Sequence, residues 1–333
     1  MIFQELKIKN LILKNRAVMA PMCMYQSDHT GEVKDFHITH YATRAIGGVG
    51  LIIQEATAID PDGRISKEDL GIWSDGHVEG LTYIVDSIHN NGAYAGIQLN
   101  HAGRKAQVEH PIAPSAVSYS ERFKVPKEMT LEDIHKVISQ FRDAARRADE
   151  AGYDLIELHA AHGYLLFQFL SPNSNFRTDE YGDRKRLLTD VVKAVREVWP
   201  KEKALAIRIS AYEYVKKTVT PEWFSELINE IKHLGVDIID VSSGGNVQVQ
   251  NITIFPGYQL DFAKTIKAKT DLVVIGGGLI DNLKLADYAI SDGLCDLVYF
   301  GRLLLRDPYH IINHASDLGI EIDYPKPYLR GKK

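Results

Sequence analysis

The chain has 333 residues, of which 45% are hydrophobic and 25% are charged, an ordinary balance for a globular protein. The formal net charge of −5 provides no cationic surface for nucleic acid, and no apolar run reaches the ~20 residues of a membrane-spanning helix. Two cysteines, Cys23 and Cys295, cannot form a disulfide scaffold, and the first residues do not resemble a signal peptide, so we expect a cytoplasmic protein without nucleic-acid or membrane partners.

Short apolar runs rich in β-branched residues alternate with helical segments along the chain. Eight such runs span residues 16–20, 49–55, 93–99, 153–159, 204–210, 236–241, 271–276 and 296–301. Nearly continuous apolar runs are typical of strands that are buried on both faces of a parallel sheet. The pattern predicts an α/β protein with a single-domain (β/α)8 TIM barrel, and a doubly wound open sheet is the structural alternative.

The helical segments carry recognisable start and stop residues. Thr130 and Asp133 form a candidate capping box, and Gly152 follows that helix as a stop. Thr220 followed by Pro221 predicts a second helix start. The longest excursion is an insertion around residues 103–128, whose three prolines predict an irregular segment. We therefore expect one domain over residues 1–333.

Polar residues and glycines follow or occupy most of the predicted strands, at the end where barrel enzymes place their active sites. They are residues 21–25, Gln54, Glu55, Gln98, His101, His159, His162, Arg208, Gly276–Gly278, Gly301 and Arg302. A single buried polar residue is most simply an internal hydrogen-bonding group. Six strand ends of this kind in one chain favour an active site, and the glycines with Arg302 suit a phosphate.

His159 and His162 allow two interpretations. They could be metal ligands, with His101, Glu157 or Glu55 completing the set, or a pair of hydrogen-bond donors for a carbonyl or anionic oxygen. The donor pair is favoured. Tyr164 follows closely, and a phenol keeps its proton at neutral pH and can act as a general acid.

Cys23 also allows two interpretations. It could be a nucleophile or a thiol that tunes a redox centre, or a small buried hydrophobic residue, which is the usual outcome for a lone cysteine.

Several sequence blocks together identify a family resemblance that covers essentially the whole chain. They are LKNRAVMAPMCMY, HYATRAIGGVGLII, GIQLNHAGRKA, HAAHGYLLFQFLSP with the following TDEYG, and the final FGRLLLRDP. The chain resembles the Old Yellow Enzyme family of FMN-dependent ene-reductases, most closely the bacterial thiol-containing NADPH dehydrogenase branch. The resemblance implies an NADPH dehydrogenase or ene-reductase that reduces activated alkenes such as enals, enones and maleimides, and possible additional substrates are nitro compounds and quinones. It also suggests a detoxification role.

The resemblance implies roles at matching positions. The flavin would be contacted by Ala20, Pro21, Met22, Cys23, Ala56 and Gln98, with Arg208 near its N1–C2 region and Gly277, Gly301 and Arg302 at its phosphate. Substrate would be bound by His159, His162 and Tyr25 and protonated by Tyr164, while Cys23 would tune the flavin potential. Lys105 would lie near the outer edge of the flavin.

The C-terminal segment, residues 324–333, resembles a tail that reaches the active site of a neighbouring subunit in this branch. Tyr328 and Arg330 match that pattern, which implies a homodimer or homotetramer with Arg330 in the partner's site. The chain departs from the family at the shortened loop 182–184 and in its last residues, 331–333. The departure at the loop leaves its shape and its nicotinamide-cofactor contacts open.

Three rival functions make different predictions. A metal-dependent barrel hydrolase or lyase would use His159 and His162 but would leave Gln98 and the glycines unexplained. A tRNA-modifying flavin barrel conflicts with the net charge of −5. A flavin-binding protein without activity conflicts with the presence of Tyr164 and both histidines. No G-x-G-x-x-G follows a predicted strand, so NADPH would have no separate nucleotide-binding domain.

Overall fold

The computed structural model describes residues 1–332, within which eight parallel strands close into a barrel. Numbered first to eighth along the chain, they are Ala17–Met19, Leu51–Ala58, Tyr94–Asn100, Leu155–Ala160, Ala204–Ser210, Ile238–Ser242, Val273–Gly276 and Leu297–Phe300. The eighth strand pairs with the first and closes the sheet. The predicted (β/α)8 barrel is therefore confirmed, and the open-sheet alternative is wrong.

Every predicted strand overlaps an observed one, and the largest difference lies at the end of the second. Gln54 and Glu55 suggested a strand end, yet the strand continues to Ala58 through an irregularity between Gln54 and Ala56. The polar side chains are fully buried and have partners, because Gln54 donates to Thr57 and Glu55 accepts from Tyr41. Internal hydrogen bonds thus let polar residues remain within a buried strand.

Helices cover the outside of the barrel. They are α1 (Asp35–Ile46), α2 (Val78–His89), α3 (Leu131–Glu150), α4 (Leu165–Leu170), α5 (Arg186–Val198), α6 (Pro221–Ile231), α7 (Leu260–Thr270), α8 (Leu283–Ser291), α9 (Arg302–Arg306) and α10 (His310–Asn313). Thr130 and Asp133 form the predicted capping box of α3, and Thr220 caps α6 before Pro221. None of the helices within residues 1–332 is long and apolar enough to cross a membrane.

Two small sheets lie outside the barrel. Leu6–Ile8 and Leu11–Leu13 form a hairpin whose apolar side chains pack with the interior residues of the barrel. Ile112–Ala113 and Lys127–Glu128 pair in parallel within the excursion over residues 103–128. The excursion is otherwise largely irregular, as its prolines indicate.

Candidate active site

The carboxyl ends of the barrel strands surround a cavity of about 330 Å³. It is lined by Ala20, Pro21, Met22, Cys23, Tyr25, Ala56, Ile65, Gln98, His159, His162, Tyr164, Arg208, Tyr299, Gly301 and Arg302. The structure therefore brings together most of the residues that the sequence singled out. Ile65 and Tyr299 are the two that were not predicted.

A second cavity of about 410 Å³ adjoins the first and shares Tyr299, Gly301 and Arg302 with it. Gly278 lines this second cavity, whereas the predicted Gly277 does not. A Cβ at Gly277 would lie 2.9 Å from the ring of Tyr299, so the glycine makes room for that ring. The role of Gly277 at a phosphate stays a prediction, and Gly278 is the glycine of this loop that lines the second cavity.

His159 and His162 meet Tyr164 at one wall of the first cavity. The ring of His159 lies 5.2 Å from that of His162 and 4.8 Å from that of Tyr164, edge to face in both cases. Nδ1 of His159 is buried and has no hydrogen-bond partner within the described chain. A buried polar atom of this kind is costly unless a ligand satisfies it.

The surroundings of His162 orient its ring. Nε2 of His162 lies 2.7 Å from Oγ of Ser242, which also receives a hydrogen bond from Gln259. The Ser242 hydroxyl has one proton to donate, and when it donates to Nε2 the proton of the neutral ring lies on Nδ1. A neutral His162 is then a hydrogen-bond donor through Nδ1.

Both histidines are neutral at physiological pH. Burial lowers the pKa of His159 and of His162 well below the ordinary value, and the positive charges of Arg208 and Lys105 lower both further. Neutral imidazoles can donate to a carbonyl oxygen without introducing two buried charges. The donor-pair interpretation therefore needs no protonation step.

Tyr164 and Cys23 keep their protons. Burial raises the pKa of the Tyr164 phenol far above its ordinary value, so the hydroxyl is available as a proton donor. Burial, Asp69 and Glu55 raise the pKa of the Cys23 thiol, which argues against a thiolate nucleophile in the free protein. Burial likewise raises the pKa of Tyr25 to about 12.

Lys105 supports the wall rather than lining the cavity. Its Nζ donates to the carbonyl oxygens of His162, at 2.9 Å, and Gly245, at 3.1 Å. The ammonium also lies 5.0 Å from the centre of the Tyr164 ring. Burial lowers the pKa of Lys105 to about 8. Lys105 thus joins the loops that follow the fourth and sixth strands.

The same two loops meet at Gly163, where φ is +72° and a Cβ would lie 2.5 Å from Cα of Asn246. We expect Gly163→Ala to cost at least about 2 kcal/mol more than Gly293→Ala, because overlap with backbone adds to the strain of the left-handed conformation. Gly293 is a matched control, with φ of +71° and no atom within 4 Å of its Cβ position. Urea unfolding measures both costs, and equal costs would contradict the predicted overlap.

Glu55 lies behind the Cys23 segment, where its carboxylate accepts from the amide of Met24 and the hydroxyl of Tyr41. Burial raises the pKa of Glu55 from 4.5 to about 7, so the folded protein binds a proton that the unfolded chain releases. The stability that this group contributes is therefore lost as pH rises from 4.5 to about 7. We expect the Tm of Glu55→Gln, relative to wild type, to increase between about pH 5 and about pH 8. A Tm difference that stays constant with pH would contradict the assignment.

Residues 325–332, the described part of the C-terminal segment after Tyr324, line neither cavity of the site. Arg330 lies in the exposed helical turn Lys326–Gly331 and lines neither cavity, and Tyr328 packs against Tyr309. Lys333, the end of the predicted tail, lies outside the described residues. The role of Arg330 in a neighbouring subunit therefore stays a prediction. Residues 182–184 of the shortened loop also line neither cavity.

The residues that could hold a metal ion lie elsewhere. Asp307, His310 and His314 offer ligand atoms within 4.8 Å of one another. Among residues 1–332, neither His159 nor His162 belongs to such a group of three. The hydrolase alternative, which requires them as metal ligands, gains no support from the geometry.

Some residues around the cavity were missed from the sequence. Tyr299 occurs in an apolar strand and was not singled out, yet it lines both cavities. Asp240 is fully buried inside the sixth strand, and its charge within an apolar run was a usable indication. Ile65 belongs to a long loop, and no local pattern places it at the cavity.

Comparison with known sequences gives a consistent result over almost the whole chain. The sequence profile of the NADH:flavin oxidoreductase / NADH oxidase family matches residues 1–318. An NADPH dehydrogenase of Clostridium acetobutylicum is 50% identical over 336 residues, which cover 99% of this chain and 98% of that relative. An NADPH dehydrogenase of Bacillus subtilis is 45% identical, with the same coverage.

Solved structures give the same architecture. The Old Yellow Enzyme homologue from Zymomonas mobilis has a TM-score of 0.81 at 25% identity, covering 98% of this chain and 95% of that chain. Morphinone reductase in complex with tetrahydroNAD has a TM-score of 0.81 at 27% identity, covering 98% and 93%. The family resemblance inferred from the motifs is thereby confirmed.

Proposed function

The chain belongs to the NADH:flavin oxidoreductase / NADH oxidase family and is an FMN-dependent NADPH dehydrogenase of the Old Yellow Enzyme type, and from this premise we propose that it reduces activated carbon–carbon double bonds. The observation that carries the proposal is the meeting of two neutral histidines and a protonated tyrosine at one cavity wall. Enals, enones and maleimides have the required carbonyl oxygen. Nitro compounds and quinones offer a similar oxygen and are further candidate substrates.

The two cavities suit FMN. The first would take the ring system against Gln98 and Arg208, and the second would take the phosphate beside Gly278, Gly301 and Arg302. Glycines leave space for a ligand close to the backbone, and the guanidinium of Arg302 forms no ion pair within residues 1–332 that would compete with a phosphate. Bound FMN supplies the hydride chemistry, and the protein supplies position and charge.

The chain's own residues bind the substrate and move one proton. His159 and His162 would hold the carbonyl oxygen of the alkene through their N–H groups and stabilise the negative charge that develops there. Tyr164 would deliver its hydroxyl proton to the α-carbon, since its raised pKa keeps that proton available. Tyr25 would contact the substrate from another wall of the same cavity.

We propose that NADPH and the alkene use this cavity in turn, in the cytoplasm, in a homodimer or homotetramer in which Arg330 reaches the neighbouring site. The exposed position of Arg330 supports such a contact.

Isotope labelling tests the proposed reaction. The holoenzyme should convert 2-cyclohexenone to cyclohexanone with equimolar consumption of NADPH, with the nicotinamide hydride at the β-carbon and a solvent proton at the α-carbon. Consumption of NADPH without a reduced ketone, under exclusion of oxygen, would contradict the proposal. A solvent label at the β-carbon would contradict the assigned roles.

A further inference from the structure

Two carboxyl groups lie inside the barrel directly among the residues that line the first cavity. Glu157, on the fourth strand, and Asp240, on the sixth, are each 0% exposed. Arg208, on the fifth strand between them, is the neighbouring cation and lines the cavity. The three side chains belong to the inward-facing positions of their strands, as shown by the packing of Leu155, Ala206 and Ile238 in the interior cluster.

Each acid contacts one residue of the cavity wall. Nε2 of Gln98 donates to Oε1 of Glu157 at 2.7 Å. Nε of Arg208 lies 3.2 Å from Oδ2 of Asp240, as an ion pair. Both carboxyl groups thus lie in the barrel interior on the two strands that flank Arg208. Each acid therefore holds one residue that lines the cavity, Gln98 for Glu157 and Arg208 for Asp240.

The charges of Glu157, Asp240 and Arg208 do not balance if both acids are ionised. Two carboxylates and one guanidinium would leave a net negative charge on buried groups, which is unfavourable. Oε2 of Glu157 and Oδ1 of Asp240 have no hydrogen-bond partner within residues 1–332, and Oδ2 of Asp240 meets Arg208 as an ion pair without hydrogen-bond geometry. One proton between the acids removes the excess charge and supplies a donor.

The other ionisable groups around the pair do not supply a second positive charge. His159 and His162 are neutral, as shown above, and the hydroxyl of Tyr299 donates to Gln259 instead. Burial raises the pKa of Glu157, and the charge of Asp240 raises it further against the opposing effect of Arg208. Burial also raises the pKa of Asp240 against the opposing charge of Arg208. Because Asp240 is the acid that forms the ion pair with Arg208, the proton is assigned to Glu157.

We propose that Glu157 and Asp240 share one proton and act together as positioning residues, a single buried negative charge that neutralises Arg208 and orients Gln98. Because the amide N–H of Gln98 points to Glu157, its Oε1 is left as an acceptor for a ligand in the cavity. The assignment of that ligand as FMN rests on the proposed function. The pair would then set both the acceptor and the net charge that the flavin ring meets.

The test is the midpoint potential of bound FMN in Glu157→Gln, Asp240→Asn and the double variant. Each single variant retains one carboxylate, so its potential should stay close to that of wild type. The double variant leaves Arg208 unneutralised and should favour binding of reduced over oxidised FMN by about tenfold or more. Glu213→Gln is the control, because Glu213 is a fully buried acid held by Ser171 and Asn246 outside the cavities.

Two results would overturn the proposal. Equal, additive shifts in the two single variants would mean that both acids are ionised, and an unchanged double variant would mean that their charge does not reach the flavin. An infrared measurement is independent of flavin binding: wild type should show a carboxylic-acid C=O band that Glu157→Gln loses, and retention of the full band would exclude the shared proton. If the protein failed to bind FMN, the proposed function would fail while the infrared result would still decide the protonation of the pair.

Discussion

Replacement of Tyr164 by Phe is expected to slow alkene reduction by about 10²- to 10⁴-fold while reduction of the bound flavin by NADPH stays close to the wild-type rate. The ring and its packing against His159 remain, and only the hydroxyl that would protonate the α-carbon is lost. Anaerobic stopped-flow measurement of the two half-reactions separates these effects.

Tyr119→Phe is the matched control for this experiment. Both tyrosine rings contact the ammonium of Lys105, Tyr119 at 4.5 Å and Tyr164 at 5.0 Å, but Tyr119 does not line the cavity. The control should retain both rates. Equal losses in the two half-reactions of Tyr164→Phe would show that the tyrosine positions ligands generally and would remove its role as proton donor.

Replacement of His159 by Ala is expected to lower kcat/KM for 2-cyclohexenone by about 10²- to 10³-fold, the usual effect of losing one donor to a developing negative charge. The imidazole has a buried nitrogen without a partner in the described chain, which leaves it free to bind a ligand. Steady-state kinetics with the FMN content of each preparation measures the effect.

His310→Ala is the control for loss of a buried imidazole, since His310 is 7% exposed and lines neither cavity. It should lower stability and leave kcat/KM within a few fold of wild type. A His159→Ala enzyme with unchanged kcat/KM would mean that substrate oxygen does not bind at this wall.

The barrel and most of the site could be predicted because both depend on local sequence. Buried parallel strands require nearly continuous apolar runs, and polar residues at their carboxyl ends converge on one face of the barrel. Gln98, His159 and Arg208 were recognisable for that reason. Their convergence on one cavity followed from strand order alone, without knowledge of any long-range contact.

The remaining features depend on contacts that no local pattern encodes. Gly278 rather than Gly277 lines the second cavity because the ring of Tyr299 occupies the space beside Gly277. Glu157 looked like a candidate metal ligand in the sequence, but register pairs it with Gln98 on the neighbouring strand. Glu157 and Asp240 lie on the two strands that flank the fifth, and strand order places both beside Arg208.

The most direct test of the proposed site is the visible absorption spectrum of the FMN-loaded protein during titration with p-hydroxybenzaldehyde. A phenolate oxygen held by His159 and His162 beside the flavin should produce a new long-wavelength charge-transfer band that saturates with the phenol. Flavin bands that stay unchanged throughout the titration would contradict the binding of substrate oxygen by these two histidines.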